Sequence, residues 1–208
     1  MSHLPETDLS DEQKLDFIDK IRQFQGWLEE MDGKSVEFAG MIDFVTPHLK
    51  MSLEQHRTSV VMDGFYISFA GGQLNRDLFD DRIYLKISGN FLERYHPSRG
   101  DRLEFTAYFT ESRGRIILRK PTKIEIIHNG GKSDINLSRA LVGRATGCII
   151  SGPIDECKLC SFYSLVDVAD GSRRQPAIYR RFYCLRGISD SENCPVRLEK
   201  LVNNLQSA

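Results

Sequence analysis

The reading of this chain turns on Gly100-Asp101-Arg102-Leu103-Glu104-Phe105-Thr106-Ala107-Tyr108-Phe109. Leu103, Phe105, Ala107 and Phe109 alternate with Arg102, Glu104, Thr106 and Tyr108. A period of two puts the apolar set on one face of an extended strand and the polar set on the other. The same period runs from Lys34 to about His128. Upstream, Val36, Phe38, Gly40, Ile42 and Phe44 alternate with Glu37, Ala39, Met41, Asp43 and Val45. A second strand is expected over Ser59–Ala70, broken at Asp63-Gly64, and a third over Arg82–Ser88, with Gly71–Asp77 as the loop between them. Downstream, the turn Ser112-Arg113-Gly114 leads into Ile116 and Leu118 and, past Pro121, into Ile124 and Ile126. Strands separated by turn residues predict a small closed barrel, since closure removes exposed edges. The predicted class is mainly β with flanking helices, α+β.

Three details narrow the barrel type. Gly40 sits in a long first strand, Phe91–Tyr95 forms a short helical segment after the third, and Gly100-Asp101-Arg102-Leu103-Glu104-Phe105 opens the fourth. Arg115–Leu118 with Thr122–Ile127 supplies the last. Residues 34–128 therefore resemble an OB-fold, a five-stranded barrel whose superfamily binds nucleic acids. An SH3-like barrel would give much the same strand pattern.

Working outward, residues 10–31 predict one amphipathic helix. Ser10 and Gln13 form a capping box, Asp11 and Glu12 suit the positive end of the helix dipole, and Asp32-Gly33 ends the run. Phe17, Ile21, Phe24, Leu28 and Met31 are spaced 4, 3, 4 and 3, an a/d seam that Ile18 and Trp27 widen. That seam either packs on its own domain or offers a homodimer or partner-protein contact. The organisation predicted is an N-terminal helix in 1–33, an OB-like barrel in 34–128, a linker over 128–138, and a small unit in 139–208. In that unit Val142–Ile150 is expected as a strand, Phe162–Val168 and Ala177–Leu185 as a hairpin, and Cys194-Pro195 as the start of a last helix.

The small unit holds four of the five cysteines, Cys157, Cys160, Cys184 and Cys194, in the spacing C-x2-C, x23, C-x9-C. Two thiols from one tight turn and two returned by a hairpin make a tetrahedral sulfur set, as in a zinc ribbon, with Zn–S distances of about 2.3 Å. Zn²⁺ is the expected cofactor. An iron–sulfur cluster is the alternative, favoured by the Cys194-Pro195 pair. Buried apolar thiols are the plain reading. Cys148, within an apolar run, is expected in the core or as an alternative ligand.

The net charge of −1 hides an asymmetry. Residues 1–33 carry nine acids and three bases, whereas residues 82–123 carry ten bases and four acids. Exposed tyrosines among Tyr66, Tyr84, Tyr95 and Tyr108 would stack unpaired bases while basic side chains follow phosphates. The predicted nucleic-acid contacts are Arg82, Tyr84, Lys86, Arg102, Tyr108, Arg115 and Arg119, with Arg173 and Arg174 at the hairpin tip. A solvated strand face accounts for the same residues without a ligand.

Enzymatic classes find little support. There is no G-x-x-x-x-G-K-[ST], G-x-S-x-G or H-E-x-x-H, and the five histidines form no pair at ligand spacing. No run of about 18 apolar residues is present for a membrane span. No export signal opens the chain, which makes a cytoplasmic protein with reduced or metal-bound thiols the expectation. The function predicted is non-enzymatic binding of single-stranded nucleic acid, with a structural metal site. The alternatives are an adaptor subunit of a larger complex and an iron–sulfur redox sensor.

Overall fold

Ser10 caps the first helix as the sequence predicts. Its hydroxyl accepts from Gln13 N at 3.2 Å, and its own N–H donates to Gln13 Oε1 at 2.9 Å. In a computed structural model, which describes residues 10–55, 57–129, 135–152, 157, 160–172, 175 and 177–198, this box opens helix α1 (Asp11–Met31). No residue of α1 is buried. Only its last turns reach the core, where the Trp27 indole meets Phe109 edge-on at 5.5 Å and stacks on Phe79 at 5.7 Å.

Strand β1 (Ser35–Glu54) is twice the length of the predicted alternation and serves several neighbours. Its first half, Ser35–Met41, pairs antiparallel with β6 (Arg102–Glu111). Its second half, from Ile42 to Glu54, pairs antiparallel with β2 (Arg57–Phe69). Two short strands, β3 (Gly72–Leu74) and β4 (Asp77–Phe79), form a hairpin where a loop was expected. Asn75 and Arg76 turn it with φ of 51° and 89°, a turn without the glycine that would have announced it. Next come β5 (Ile83–Ile87) and helix α2 (Gly89–Tyr95), capped by Ser88. After β6 the chain enters β7 (Ile116–Ile127).

These strands close a five-membered ring in the order β1, β2, β5, β7, β6 and back to β1. Only β5 and β7 run parallel within it. The ring interior is filled as the alternation requires. Leu103, Phe105, Ala107 and Phe109 of β6 are buried, as are Ile83, Leu85 and Ile87 of β5. The predicted break at Asp63-Gly64 is a bulge within β2: Gly64 takes φ +87°, and a Cβ there would collide with the Ile87 carbonyl.

The expected strand at Val142–Ile150 is instead helix α3 (Leu137–Thr146) followed by the two-residue strand β8 (Cys148–Ile149). Asn136, within the expected linker, caps α3 by accepting from Arg139 N at 2.8 Å. Val142, the first residue of the expected strand, and its neighbour Leu141 are exposed on this helix. The small residues Ala140 and Gly143 are the buried ones, and a Cβ on Gly143 would press within 2.8 Å of Leu185 Cβ. Close helix approach, not chain hydrophobicity, selects this conformation.

The hairpin β9 (Tyr163–Asp170) and β10 (Ala177–Cys184) matches its prediction. It is continuous with the ring: β9 runs parallel to β1 from Leu49↔Val166 to Leu53↔Asp170, and β8 pairs with β10 on the far side. Residues 195–198 are helical, as expected of the segment after Cys194, and the rest of the expected segment lies outside the described residues. The class is α+β with strands predominating. No helix among the described residues is long and apolar enough to cross a membrane.

Candidate nucleic-acid interface and cysteine cavity

Alternation on β5 sends Ile83, Leu85 and Ile87 inward and leaves Tyr84 and Lys86 on the outer face, with Arg82 just ahead of them. That face is not open solvent. The first residues of β9 cross it, pinned where Ser164 Oγ donates to Pro47 O at 2.6 Å. Between the ring and β9 lies a cavity of about 50 Å³ walled by Phe44, Tyr66, Tyr84 and Tyr163, with Arg82 and Arg115 at its edge. Tyr66 and Tyr84 meet edge-on at 5.9 Å. The Arg115 guanidinium lies 4.6 Å over the Tyr84 ring, a cation–π contact.

The cations here divide by partner. Arg82 Nη1 is 2.9 Å from Asp43 Oδ2. Lys86 and Lys50 both reach Asp63 Oδ2, at 2.8 and 2.6 Å. Partial burial works against charge on Asp63, yet hydrogen bonds from Lys50 and Lys86 outweigh it and hold the carboxyl at about 2. Arg115 has no acid partner among the described residues.

The bulge at Asp63 also aims at His48, a buried residue that the sequence reading left among scattered histidines. Its Nδ1 lies 3.3 Å from Asp63 O and its Nε2 3.2 Å from Asp167 Oδ2. Burial dominates and lowers its pKa, against the opposing pull of Asp167 and Asp63. Asp167 is in turn held by Arg180, whose Nε donates to it at 3.1 Å. Arg180 Nη1 and Nη2 also donate to the Arg113 and Ser112 carbonyls, at 2.8 and 3.0 Å. This arginine clamps the β6–β7 turn to β10. Arg173 and Arg174 lie outside the described residues.

The other predicted contacts lie on β6 and further along β7. β5 is not a neighbour of β6, because β7 runs between them. On β6, Arg102 is paired with Glu104 at 2.8 Å. Tyr108 is 49% exposed, stands opposite Arg119 across the β6–β7 ladder, and carries Lys120 Nζ at 5.9 Å from its ring. Arg82, Tyr84, Lys86 and Arg115 are thus brought together; Tyr108 and Arg119 face each other across the β6–β7 ladder, with Arg119 near enough to Tyr66 to act on it electrostatically, and Arg102 stands toward the other end of β6. Tyr163, which the sequence reading passed over, joins the first group. Its position depends on a strand pairing that no local pattern announces.

The cysteines Cys157, Cys160, Cys184 and Cys194 line one cavity together with Tyr163 and Arg197. Cys160 N donates to Cys157 O at 3.1 Å, closing the tight turn, and Phe162 N–H donates to the Cys160 sulfur. Cys184 ends β10, and Cys194 follows a 3-10 turn at Ser191–Asn193 with its N–H on Ser191 O at 3.3 Å. Burial pushes the Cys160 thiol up, and Cys184, Cys194 and Cys157 add to the shift. All five thiols are unbridged. Cys148 stands opposite Cys184 in the β8–β10 ladder and is not among the lining residues of this cavity.

Among the described residues no group of three or more His, Cys, Asp or Glu side chains is arranged to hold a metal ion. Two observations nevertheless suit a thiolate-bound cation. The four sulfurs of the C-x2-C, x23, C-x9-C pattern share one largely apolar cavity. Arg197 Nε, on its wall, is buried without a hydrogen-bond partner, and a charged sulfur cluster would offer it an acceptor. Comparison with known proteins finds no matching family model, no matching curated protein and no matching solved structure.

Proposed function

We propose that the protein binds single-stranded nucleic acid without catalysing a reaction, using an OB-like ring stabilised by a structural metal ion at Cys157, Cys160, Cys184 and Cys194. The observation that carries this reading is the order of ring closure. A long first strand pairs with both the second and the fourth strands of the ring, a short helix joins the third to the fourth, and the third and fifth run parallel. That order supports an OB-like ring over an SH3-like one. The aromatic and basic lining of its outer face gives bases a stacking surface and phosphates a cation. Zn²⁺ suits the four-thiol set, and its contribution would be to hold the β9–β10 unit in shape.

The test is titration of fluorescent single-stranded DNA and RNA 12-mers, with duplex as a control, at salt from about 50 to about 200 mM. Affinity should fall steeply with salt, favour single strands, and drop when Tyr84→Ala is combined with Arg82→Ala. Absence of binding to both DNA and RNA at low salt overturns the reading.

A second reading, docking of a second copy through α1, is favoured by one observation. Leu15, Phe17, Ile18, Ile21 and Phe24 are between 41% and 64% exposed along the helix. Light scattering separates the two: a mass that halves on Phe17→Ser with Ile21→Ser, with no oligonucleotide binding by the wild type, supports docking.

A further inference from the structure

We propose that the open edge of β10, from Ala177 to Arg181, is a docking site for an extended acidic segment of a partner protein, which joins the sheet as a further strand. The edge lies beyond β9 from the ring, so the nucleic-acid reading neither requires this site nor is required by it.

The backbone defines the site. Ile150 N donates to Phe182 O at 2.9 Å, so Phe182 turns its peptide groups away from β9. Alternation along an antiparallel strand turns those of Ile178 and Arg180 the same way. The two residues of β8 pair only with Tyr183 and Cys184, and among the described residues no strand pairs with Ala177–Arg181 on that side. β10 has neither a proline nor a bulge, two of the devices that blunt an exposed edge. Ile178, within this stretch, is 61% exposed. A row of donors and acceptors at strand spacing is matched by a peptide backbone, which returns both. A phosphate chain offers acceptors and would answer only the N–H groups.

The charges select the partner's sign. Arg181 lies 5.5 Å over the Tyr179 ring, with no acid in ion-pair range among the described residues. On the other face Arg113 and Arg180 share one carboxylate, Asp167, at 3.7 and 3.1 Å. Asp170 is buried and turned into the hairpin loop, where it accepts from Ser172 Oγ at 2.6 Å. β10 itself carries no acid. A second copy paired about Tyr179 would set each Arg180 diagonal to its mate, about 7–8 Å away, and gather cations alone. A strand with an acid opposite Arg181 and a β-branched residue opposite Ile178 answers both faces.

The experiment uses the full chain and an eight-residue peptide that alternates Glu with Val, its Lys–Val analogue serving as control. Binding is read by anisotropy and by amide exchange at single residues. The Glu–Val peptide should bind more tightly than the Lys–Val one. At ten times its Kd it should slow exchange about tenfold at Ile178 and Arg180, leaving Tyr179 and Arg181, already bonded to β9, unchanged. Ile178→Pro, which removes an edge N–H, should abolish binding. Arg181→Glu, at an exposed position that leaves the backbone intact, should weaken the Glu–Val peptide by roughly two- to 30-fold and make the Lys–Val peptide the tighter. The proposal is overturned if the wild type ignores the Glu–Val peptide, binds both peptides equally, or binds without slowing Ile178 and Arg180. Slowing of those two amides without peptide overturns it too: with rising protein concentration it assigns the edge to a second copy, and at every concentration to the chain itself.

Discussion

The ring and the cysteine unit share one sheet but are held together in different ways. Within the ring, Phe65, Ile67, Phe69, Leu85, Leu103, Phe109 and Leu118 are all fully buried. Strands alternating at period two on five sides give such a core without outside help. Among the described residues the cysteine unit buries Ala140, Ile150, Val166, Val168, Tyr183 and Leu185, but its four clustered cysteines are only half-buried around a cavity. A segment with fewer inward side chains than the ring offsets less of its own ordering entropy, and it leans on β1; the metal ion proposed at its cysteines would supply the rest.

The largest expected effect tests that contrast directly. Metal removal by a strong chelator should erase amide-exchange protection from β9 through Cys194, since metal binding in small thiolate sites provides on the order of 10 kcal/mol of folding free energy. Protection in β2, β5 and β7 should survive. Equal loss in the ring would mean that the two regions fold as one unit.

Next in size is Phe65→Ala, which opens a hole at the ring's centre and should cost about 3–5 kcal/mol in urea unfolding followed by circular dichroism. Because β9 pairs with β1, this change should melt the cysteine unit as well, an asymmetry opposite to that of the chelator. A variant that unfolds β9–β10 alone would break the comparison.

A smaller effect sharpens the seam. Asp63 is ionised more readily in the fold than in the unfolded chain, so its contribution is present at neutral pH and is lost as pH falls from about 4 to about 2. Its side chain is 34% exposed, and solvent screening limits the effect to about 1 kcal/mol. Asp63→Asn should flatten the acid limb of a stability–pH curve by that amount. An unchanged curve would show that Lys50 and Lys86 do not hold the bulge.

Ser10→Ala should be smallest, about 0.5–1 kcal/mol of local helix stability. Since α1 buries no residue, its fraying should appear in exchange at 11–20 while the global unfolding midpoint stays constant. A shifted midpoint would tie the helix to the ring more tightly than Trp27 and its neighbours imply.

Local patterns were legible where burial and periodicity coincide. Leu103, Phe105, Ala107 and Phe109 face inward, and Ser10 with Gln13 caps α1. The misses have one physical root, namely contacts that form across long stretches of chain. The stretch from Val142 looks like a strand, but the close fit of Gly143 against Leu185 and the burial of Ala140 decide for a helix. The acids that occupy Arg82 and Lys86, Asp43 and Asp63, come from other strands, so a count of bases overstates the cations open to a ligand. Likewise the two tyrosine groups look contiguous in sequence order only because β7, lying between β5 and β6, is reached last. The cysteine spacing pointed to one cavity; that Cys160 and Tyr163 also line the neighbouring cavity of Tyr84 and Arg115 depends on the β1–β9 pairing.

That pairing has a consequence for the order in which the chain assembles. Ser164 reaches back to Pro47 across 117 residues, whereas the ring completes its circuit by Ile127. During synthesis the ring can close while the Leu49–Leu53 edge of β1 still waits for β9. A bare parallel edge of that kind is a template for a neighbouring chain. A chain truncated after 128 is therefore expected to form its ring and then aggregate through β1, and the C-terminal hairpin serves, among its other roles, as the ring's edge guard.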